Sequence, residues 1–510
     1  MPCQAAASGA GAIDVCIFMR GYVSTMKRSC VLLACLAALA GGARAHSQAK
    51  IAYTFTPELT GSVPVLHVDL VFQGNSAGDS TLILPTTWAG QRDLYKSILK
   101  LRSVDPECIL MPQADPGSVL LKYPPNRKVR VAYDLVSDWS GALRHPKEFR
   151  AVVQKTRVIF NGQNGLAHPE LAQNAIVRVN FIWKSLPENW VVASSFGSQR
   201  THQKFSGEWH EVHDALFAAG DFRITQITRA GEKLTLAVRG SWVFSDEEAA
   251  NQIAEIFHVE REFWGERKRD SFLVVLAPYD QDLGSSDGSV FTHAFLLYLS
   301  RQQTFLTEVK SLLAHEVFHT WNPYRMGLPS GESTYWFTEG FTRYYQDRIL
   351  LQAGLVDLPE YLERLNRIVA DYWNSPDRNW TEKQWLERSS THPAEYDLPY
   401  SRGAMIALWL DDRLRKNSAR RSSLDERMFS LVKDHPEVLL TTDYLLSILS
   451  LGLSSQEAAD LHSFVESGVT IPLPHEVPSD CGNLIQEGDS TPRYIPAQGR
   501  CTALVSRLAR

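Results

Sequence analysis

The stretch Ser311-Leu-Leu-Ala-His-Glu-Val-Phe-His-Thr-Trp-Asn322 decides how this sequence is interpreted. It contains His315-Glu316-x-x-His319, and residues four apart lie on the same face of a helix. Both imidazoles would therefore point the same way and could bind one zinc ion, with Glu316 beside it as a base. The motif is flanked by apolar residues, as expected for a helix buried in a catalytic domain: Leu312, Leu313, Val317 and Phe318.

A third zinc ligand is expected in the aromatic stretch Tyr335-Trp-Phe-Thr-Glu-Gly-Phe-Thr-Arg-Tyr-Tyr345. A catalytic zinc takes three protein ligands and keeps one position open for water. Glu339 follows His319 by 20 residues and lies among aromatic residues, where a buried carboxylate requires a partner. We therefore predict that His315, His319 and Glu339 bind a single Zn²⁺ ion. The alternatives are a chance motif on a core helix and a solvent-exposed glutamate at the start of a helix.

These stretches, together with Tyr400-Ser-Arg-Gly403-Ala and the leucine-rich segment after it, resemble the glycyl aminopeptidase family. Its members are thermolysin-like (gluzincin) zinc metallopeptidases, related to the aminopeptidase N family. The resemblance is specific over residues 315–415, loose over the preceding β region and absent at the C-terminal end. It implies a glutamate as third zinc ligand, here Glu339, and a tyrosine that hydrogen-bonds the oxyanion, here Tyr400. The alternative for Tyr400 is a tyrosine packed at a helix end.

The sequence departs from the family pattern before the zinc-binding helix. Family members usually show a Gly-Gly-Leu-Glu-His-like segment there, whose glutamate can hold the free amine of the substrate. This chain has Gly288-Ser-Val-Phe-Thr-His293 instead, with no glutamate. The acidic residues that could substitute for it are Asp287, Glu382, Glu387 and Glu395. Family members often carry a PDZ domain at the C-terminal end, but we find no Gly-Leu-Gly-Phe-like loop and predict none.

The predicted reaction is zinc-assisted hydrolysis of a peptide bond. Zinc lowers the pKa of its water and polarises the scissile carbonyl, while Glu316 takes the proton and passes it to the leaving amine. Tyr400 then donates a hydrogen bond to the developing oxyanion. The resemblance implies an aminopeptidase. The alternatives are a zinc endopeptidase and an exported binding protein that contains zinc without catalysis, although a structural zinc needs no base such as Glu316.

Residues 1–45 predict a targeting segment rather than part of the fold. A basic stretch and an apolar run follow Met26, which is a candidate true start, and Ala43-Arg-Ala45 is a cleavage signal. The mature chain is therefore expected to begin at His46 and to be exported to the periplasm or secreted. The apolar run is too short for a membrane span. A lipid-modified Cys35 is the alternative.

Export leaves Cys108, Cys481 and Cys501 in the mature chain. Cys481 and Cys501 form either a disulfide in an oxidising compartment or unpaired thiols, and no cysteines have zinc-finger spacing.

Four basic residues and one acidic residue lie in the leader, so the net charge of −5 becomes −8 after cleavage. That charge disfavours nucleic acid and anionic membranes as partners. A peptide substrate is the expected partner, and the sequence does not predict an oligomeric state.

The expected fold class is α+β, with several domains. Alternation of apolar and polar residues, as in Leu66-x-Val68-x-Leu70-x-Phe72, predicts an antiparallel β-sandwich-like domain at the N-terminal end. A thermolysin-like zinc catalytic domain and a C-terminal helical domain follow. The predicted ranges are a leader at 1–45, the β domain at 46–195, a connector at 196–240, the catalytic domain at 241–415, the helical domain at 416–467 and an irregular tail at 468–510.

Three local signals lie in the catalytic region. Ser245-Asp-Glu-Glu248 is a capping box that predicts the start of a helix. Residues Ser271 to Pro278 predict a buried strand. Residues Ser289 to Ser300 predict an edge strand beside the zinc-binding helix, where a substrate backbone could pair by β-augmentation.

Overall fold

The computed structural model describes residues 49–266, 271–280, 286–300, 309–323, 325–329, 332–388, 397–434, 439–477, 482–488 and 490–497. The predicted leader, Cys481, Cys501 and Glu395 lie outside these residues. The remaining free cysteine, Cys108, is buried. None of the helices in the described part of the chain is both long and apolar enough to cross a bilayer.

The strands are numbered in chain order. They are β1 (Ala49–Glu58), β2 (Val65–Gln73), β3 (Asp79–Ile83), β4 (Ile98–Ser103), β5 (Ile109–Pro112), β6 (Ser118–Lys122), β7 (Lys128–Leu135), β8 (Val152–Gln154), β9 (Arg157–Asn161), β10 (His168–Pro169), β11 (Ile176–Trp183), β12 (Val191–Ser194), β13 (Gly197–Ser198), β14 (His202–Glu208), β15 (Leu216–Gly220), β16 (Arg223–Arg229), β17 (Glu232–Val238), β18 (Phe272–Pro278), β19 (Ser286–Phe291), β20 (Ala294–Leu299), β21 (Leu328–Pro329), β22 (Leu439–Leu440), β23 (Glu476–Val477), β24 (Gly482–Ile485) and β25 (Arg493–Pro496).

The α-helices are numbered in the same way. They are α1 (Gly162–Gly165), α2 (Trp209–His213), α3 (Asp246–Phe263), α4 (Lys310–Phe318), α5 (Tyr335–Thr338), α6 (Gly340–Gln352), α7 (Leu358–Trp373), α8 (Glu382–Arg388), α9 (Leu398–Asn417), α10 (Leu424–Asp434), α11 (Thr442–Leu449) and α12 (Ser455–Glu466). Short 3-10 helices occupy Leu94–Ser97, Lys147–Phe149 and Glu332–Thr334.

The N-terminal region is a packed set of sheets, in the order β14-β11-β1-β2-β7-β4, β10-β3-β6-β5 and β13-β12-β15-β9-β8. The predicted alternation is confirmed in β2, where Leu66, Val68, Leu70 and Phe72 are all buried. The prediction of an antiparallel sheet is wrong at one place, because β1 pairs with β11 in parallel, with Ala49 opposite Val177. One shared apolar core joins residues from all three sheets, as in a sandwich.

The expected connector at 196–240 contains strands of three different sheets, and β14 lies at the edge of the first of them. β13 and β15 complete an N-terminal sheet, whereas β16 and β17 begin the sheet of the catalytic region, in the order β16-β17-β18-β20-β19. β17, β18 and β20 run in parallel. β18 is buried at every position because helices cover one face of this sheet and the N-terminal sheets cover the other.

The predicted edge strand at 289–300 is a hairpin. β19 and β20 pair antiparallel, with Phe291 opposite Ala294, and β19 forms the edge of the sheet. His293 lies in the tight turn at a φ of 51°. The sequence did not predict this turn, because the turn lacks the usual Asn-Gly or Asp-Gly pair and leads directly into the apolar residues of β20.

The predicted caps are confirmed by the hydrogen bonds that begin their helices. The Ser245 hydroxyl accepts from the Glu248 amide at the start of α3. Asp357 accepts from the Glu360 amide at the start of α7. The apolar stripe of α7 is buried, as expected for core packing: Tyr361, Leu365, Ile368 and Tyr372.

The C-terminal end differs from the irregular tail that the sequence predicts. β23, β24 and β25 form an antiparallel sheet, and Tyr494 is buried in the same apolar core as the catalytic helices. The Asn366 side chain donates to the Tyr494 carbonyl and accepts from its amide, at 2.8 and 2.6 Å. Helices α10, α11 and α12 also contribute to this core. Part of the tail that was expected to be irregular therefore consists of short strands.

Candidate active site

Two histidines and one glutamate converge at the centre of the catalytic region. His315 lies on α4, and His319 is the residue that ends this helix, with both rings buried. Nε2 of His315 is 3.1 Å from Nε2 of His319, and Oε2 of Glu339 is 3.1 and 3.3 Å from these two nitrogens. The three residues predicted from the sequence as ligands are therefore brought together.

The spacing of these atoms fits a tetrahedral zinc ion. Zinc lies about 2.0–2.1 Å from such ligands, so tetrahedral ligand atoms are about 3.3 Å apart. Each histidine also has its Nδ1 next to an acceptor, Gln346 Oε1 at 3.0 Å and the Asn322 carbonyl at 2.8 Å. These contacts favour the tautomer with hydrogen on Nδ1, which leaves both Nε2 lone pairs for a metal. The donor set therefore fits zinc.

Asn322 connects the two segments that carry the ligands. Its carbonyl holds His319, while its side-chain amide donates toward the carbonyls of Phe337 and Thr338 and to the Thr342 hydroxyl. This residue is fully buried. The sequence motif contains it, but neither its role nor that of Gln346 could be predicted, because their partners are distant in sequence. The offset of seven between Glu339 and Gln346 places the latter two turns further along α6.

Glu316 faces the edge strand β19. A Cβ atom at Gly288 would lie only 2.9 Å from Glu316 Cγ, so glycine permits the strand to approach this close. Burial raises the pKa of Glu316, although His319 and His315 oppose the shift. Burial acts in the same direction on Glu339, but both histidines outweigh it and hold the pKa of Glu339 well below its usual range. The candidate ligand Glu339 is therefore ionised, and Glu316, the proposed base, has the higher pKa of these two glutamates.

Tyr400 is placed by close packing between helices. It lies in the first turn of α9, and its ring stacks at 6.0 Å from that of His315, with 20° between the planes. A Cβ atom at Gly403 would lie 1.9 Å from the Trp336 carbonyl oxygen, and one at Gly340 would lie 2.4 Å from Gly403 Cα. Only glycine fits at these two positions, and this contact brings Tyr400 over the candidate metal site.

The site opens into a large cleft with a volume of 1720 Å³. One wall belongs to the N-terminal region, including Gln163 and Asp214, and the other walls are β19, α4 and the helices after it. Asp287, one of the predicted substitutes for the missing glutamate, lines this cleft. Two other predicted substitutes do not line it. Glu382 lines a separate small cavity near Trp385, and Glu387 is exposed, with its Oε1 atom 3.9 Å from Lys383 Nζ.

A model of the M61 glycyl aminopeptidase family matches residues 308–406. The family resemblance predicted from the sequence is therefore confirmed over the segment that contains the candidate ligands. The match supports a peptidase. No curated protein sequence is significantly similar to the chain.

Several solved structures have a similar fold. An aminopeptidase N family protein from Idiomarina loihiensis has a TM-score of 0.69 at 20% identity, covering 83% of this chain and 77% of its own. An M1 zinc metallopeptidase from Deinococcus radiodurans has a TM-score of 0.50 at 16% identity, covering 84% of this chain and 95% of its own. A mutant of the latter, bound to a Tyr-Ser-Ala substrate, has a TM-score of 0.51 at 14% identity, covering 84% and 95%. These likenesses establish a shared α+β fold.

The three-ligand arrangement predicts how zinc retention responds to substitution. Glu339→Ala should lower zinc affinity more than about 100-fold. Loss of a residue that only hydrogen-bonds a metal ligand already costs about 10–100-fold, and loss of a ligand itself should cost more. Gln346→Ala, which removes only the acceptor for His315 Nδ1, should show that smaller loss. Elemental analysis after dialysis against a graded chelator measures both. Glu247→Ala, at an exposed position in the first turn of α3, is the control. Full zinc occupancy in Glu339→Ala would remove this residue from the ligand set.

Proposed function

We propose that this protein is a zinc metallopeptidase that hydrolyses peptide bonds and acts as an aminopeptidase. The observation that carries the proposal is the convergence of His315, His319 and Glu339 beside Glu316 in a cleft wide enough for a peptide. A site for structural zinc would fill the fourth position with a protein ligand. Among the described residues, no fourth histidine, cysteine or carboxylate joins these three ligands, and the one other group of this kind lies elsewhere on the cleft wall, so the fourth position faces the cleft.

The residues of the chain divide the chemistry between them. A zinc ion bound by the three ligands would activate a water molecule and polarise the scissile carbonyl. Glu316 accepts the proton of the attacking water, for which its raised pKa is suited, and passes it to the leaving amine. The Tyr400 hydroxyl donates to the oxygen on which negative charge develops, a contact typically worth about 3–4 kcal/mol in the transition state.

Glu316→Gln separates metal binding from catalysis. The amide keeps the size of the side chain but cannot accept the proton, so hydrolysis should fall by about 10²–10⁴-fold while zinc is retained. Steady-state hydrolysis of a peptide, with elemental analysis of the same sample, gives both quantities. Glu247→Gln is the matched control. A Glu316→Gln variant that cuts peptides at the normal rate would show that this mechanism is wrong.

An aminopeptidase requires an anion close to the bond that it cuts. The ammonium group of the substrate loses its water on binding, and this is costly unless a carboxylate partner replaces that water. On β19, Asp287 already accepts from the Tyr279 hydroxyl at 2.5 Å and lies 3.3 Å from His145 Nδ1. Both of its oxygens are thus engaged, which makes it a poor anchor.

Asp214 is a better candidate for the anchor. Its carbonyl accepts from the Thr292 amide at 2.9 Å, which fixes it next to the end of β19, where the family has its glutamate. One carboxylate oxygen accepts from Gln163 Nε2 at 3.1 Å, and the residue lines the cleft. Burial raises the pKa of Asp214 to about 7, against the opposing effect of Gln163 and the Thr292 amide. An arriving ammonium group would stabilise the ionised form. The sequence analysis did not identify Asp214, because it lies far from the motif.

Asp214→Asn tests the anchor. The variant should raise KM for free-amine peptides by about 10- to 100-fold, since hydrogen bonds to charged groups contribute about 1.5–3 kcal/mol. N-acetylated peptides should be poor substrates of both proteins. In the unsubstituted protein, KM should rise as pH falls through about 7, where Asp214 gains a proton, and this rise should be absent from the variant. Asp69→Asn, at an exposed position of β2, is the control.

The dependence of Tm on pH shows whether the Asp214→Asn variant is folded. The folded-state pKa of Asp214 is raised, so its ionisation costs stability as pH rises from about 4 to 7. Asp214→Asn should therefore raise Tm at pH 8 more than at pH 4. If acetylated peptides are cut as fast as free-amine peptides, or cuts fall within the peptide, the protein is an endopeptidase, the second candidate, which the large volume of the cleft favours.

We also propose that the protein is exported and that its mature N-terminus is His46. The proposal rests on the basic stretch, the apolar run and Ala43-Arg-Ala45 in the sequence. N-terminal sequencing of protein isolated from the native host gives the cleavage position. A lipid-modified Cys35 at the terminus would replace the freely exported form with a lipid-anchored one.

A further inference from the structure

A second group of metal-binding side chains lies on the wall of the same cleft. His145 and Glu148 belong to the N-terminal region, where Glu148 is part of the 3-10 helix Lys147–Phe149, and Asp287 belongs to the edge strand β19. Nδ1 of His145 is 2.8 Å from Oε1 of Glu148 and 3.3 Å from Oδ1 of Asp287. One imidazole nitrogen and two carboxylates from different parts of the fold therefore meet at one point.

The geometry of this group matches that of the candidate zinc site. The separations of 2.8 and 3.3 Å are close to the 3.1–3.3 Å between the ligand atoms of His315, His319 and Glu339. Both sets approach the spacing of about 3.3 Å expected around a tetrahedral metal ion. A mixed nitrogen and oxygen donor set of this kind suits zinc and its neighbours in the first transition row.

Glu148 has a buried carboxylate oxygen that a cation could pair with. Its side chain is 2% exposed, and its Oε2 atom has no hydrogen-bond partner among the residues that the structure describes. The Tyr279 hydroxyl has a single proton, which it donates to Asp287 Oδ2. The ring of His145 supplies at most one positive charge for two carboxylates. A buried, unpaired carboxylate oxygen is costly, and a bound cation would remove that cost.

We propose that His145, Glu148 and Asp287 form a second metal site, which binds a divalent transition-metal ion such as Zn²⁺. The Tyr279 hydroxyl donates to Asp287 and so orients its carboxylate, as hydrogen-bond partners of metal ligands do in other proteins. His145 is half-exposed and provides the entry path from the cleft. The ion would link the N-terminal region to β19 and so fix the strand that faces Glu316. This proposal does not depend on the proposed peptidase activity.

Metal titration of the full chain tests the second site. The protein is stripped with a chelator and titrated with Co²⁺, whose visible absorption reports its ligand geometry, and with Zn²⁺ followed by elemental analysis. The unsubstituted protein should bind two ions per chain. Glu148→Gln and Glu339→Ala should each bind one ion, at different sites, and the double variant should bind none. Glu170→Gln, on the exposed surface of the N-terminal region, should bind two.

Three results would overturn the second site. They are a single ion per chain in the unsubstituted protein, a second ion that Glu148→Gln retains, and a Glu148→Gln variant whose only change is a higher KM for free-amine peptides. The last result would assign the carboxylates to the ammonium group of the substrate. If Glu148→Gln fails to fold, His145→Asn removes the nitrogen ligand at the half-exposed position, and a second zinc-dependent rise in Tm should be absent from it.

The two proposals fail in different ways. A single bound ion in the unsubstituted protein, with hydrolysis intact, would overturn only the second metal site. Two bound ions with no hydrolysis of any peptide would overturn only the peptidase. The titration and the peptide assay on the same protein sample therefore distinguish them.

Discussion

The contact between Gly340 and Gly403 is the constraint on which the candidate site depends. Because neither residue has a Cβ atom, α9 lies directly against the junction of α5 and α6. This junction carries Glu339, and the first turn of α9 carries Tyr400. A side chain at either glycine would separate the two helices and move the tyrosine away from His315. The position of the proposed oxyanion donor relative to the metal ligands is thus set by backbone contact, which is far less adjustable than a contact between side chains.

Asn322 has the same role on the other side of the site. It lies in the turn that follows His319 and bonds to the segment that precedes α6, so the helix with two ligands and the helix with the third cannot shift independently. A metal site needs its ligand atoms within a few tenths of an ångström of their positions. Close packing of glycines and a buried amide restrict the movement of these segments.

Local patterns in the sequence were enough to select the candidate ligands but not the residues that position them. His315 and His319 share a helix face, and Glu339 stands out as an acid among aromatic residues, so each carries a signal in its own surroundings. Gln346, Asn322 and Asp214 act through partners that only the fold brings near. The C-terminal strands were missed for the same reason, since they are held by contacts with a distant element, α7. The turn at His293 was missed because it lacks the usual Asn-Gly or Asp-Gly pair. Alternation in β2 and the caps of α3 and α7 depend on neighbours in sequence, and these the sequence predicted.

The cleft concentrates carboxylates that are expensive to hold without cations. Glu316, Glu339, Asp214, Glu148 and Asp287 all lie on or beside its walls, and burial raises the pKa of three of them: Glu316, Asp214 and Glu148. A protein selected only for stability would replace such groups by apolar ones. Their presence is explained if the cleft receives positive charge from outside the chain. Zinc would neutralise Glu339, a peptide ammonium group would pair with Asp214, and a second ion would pair with Glu148 and Asp287. Each cation stabilises a different part of the wall, so the stability of the cleft should depend on what it binds.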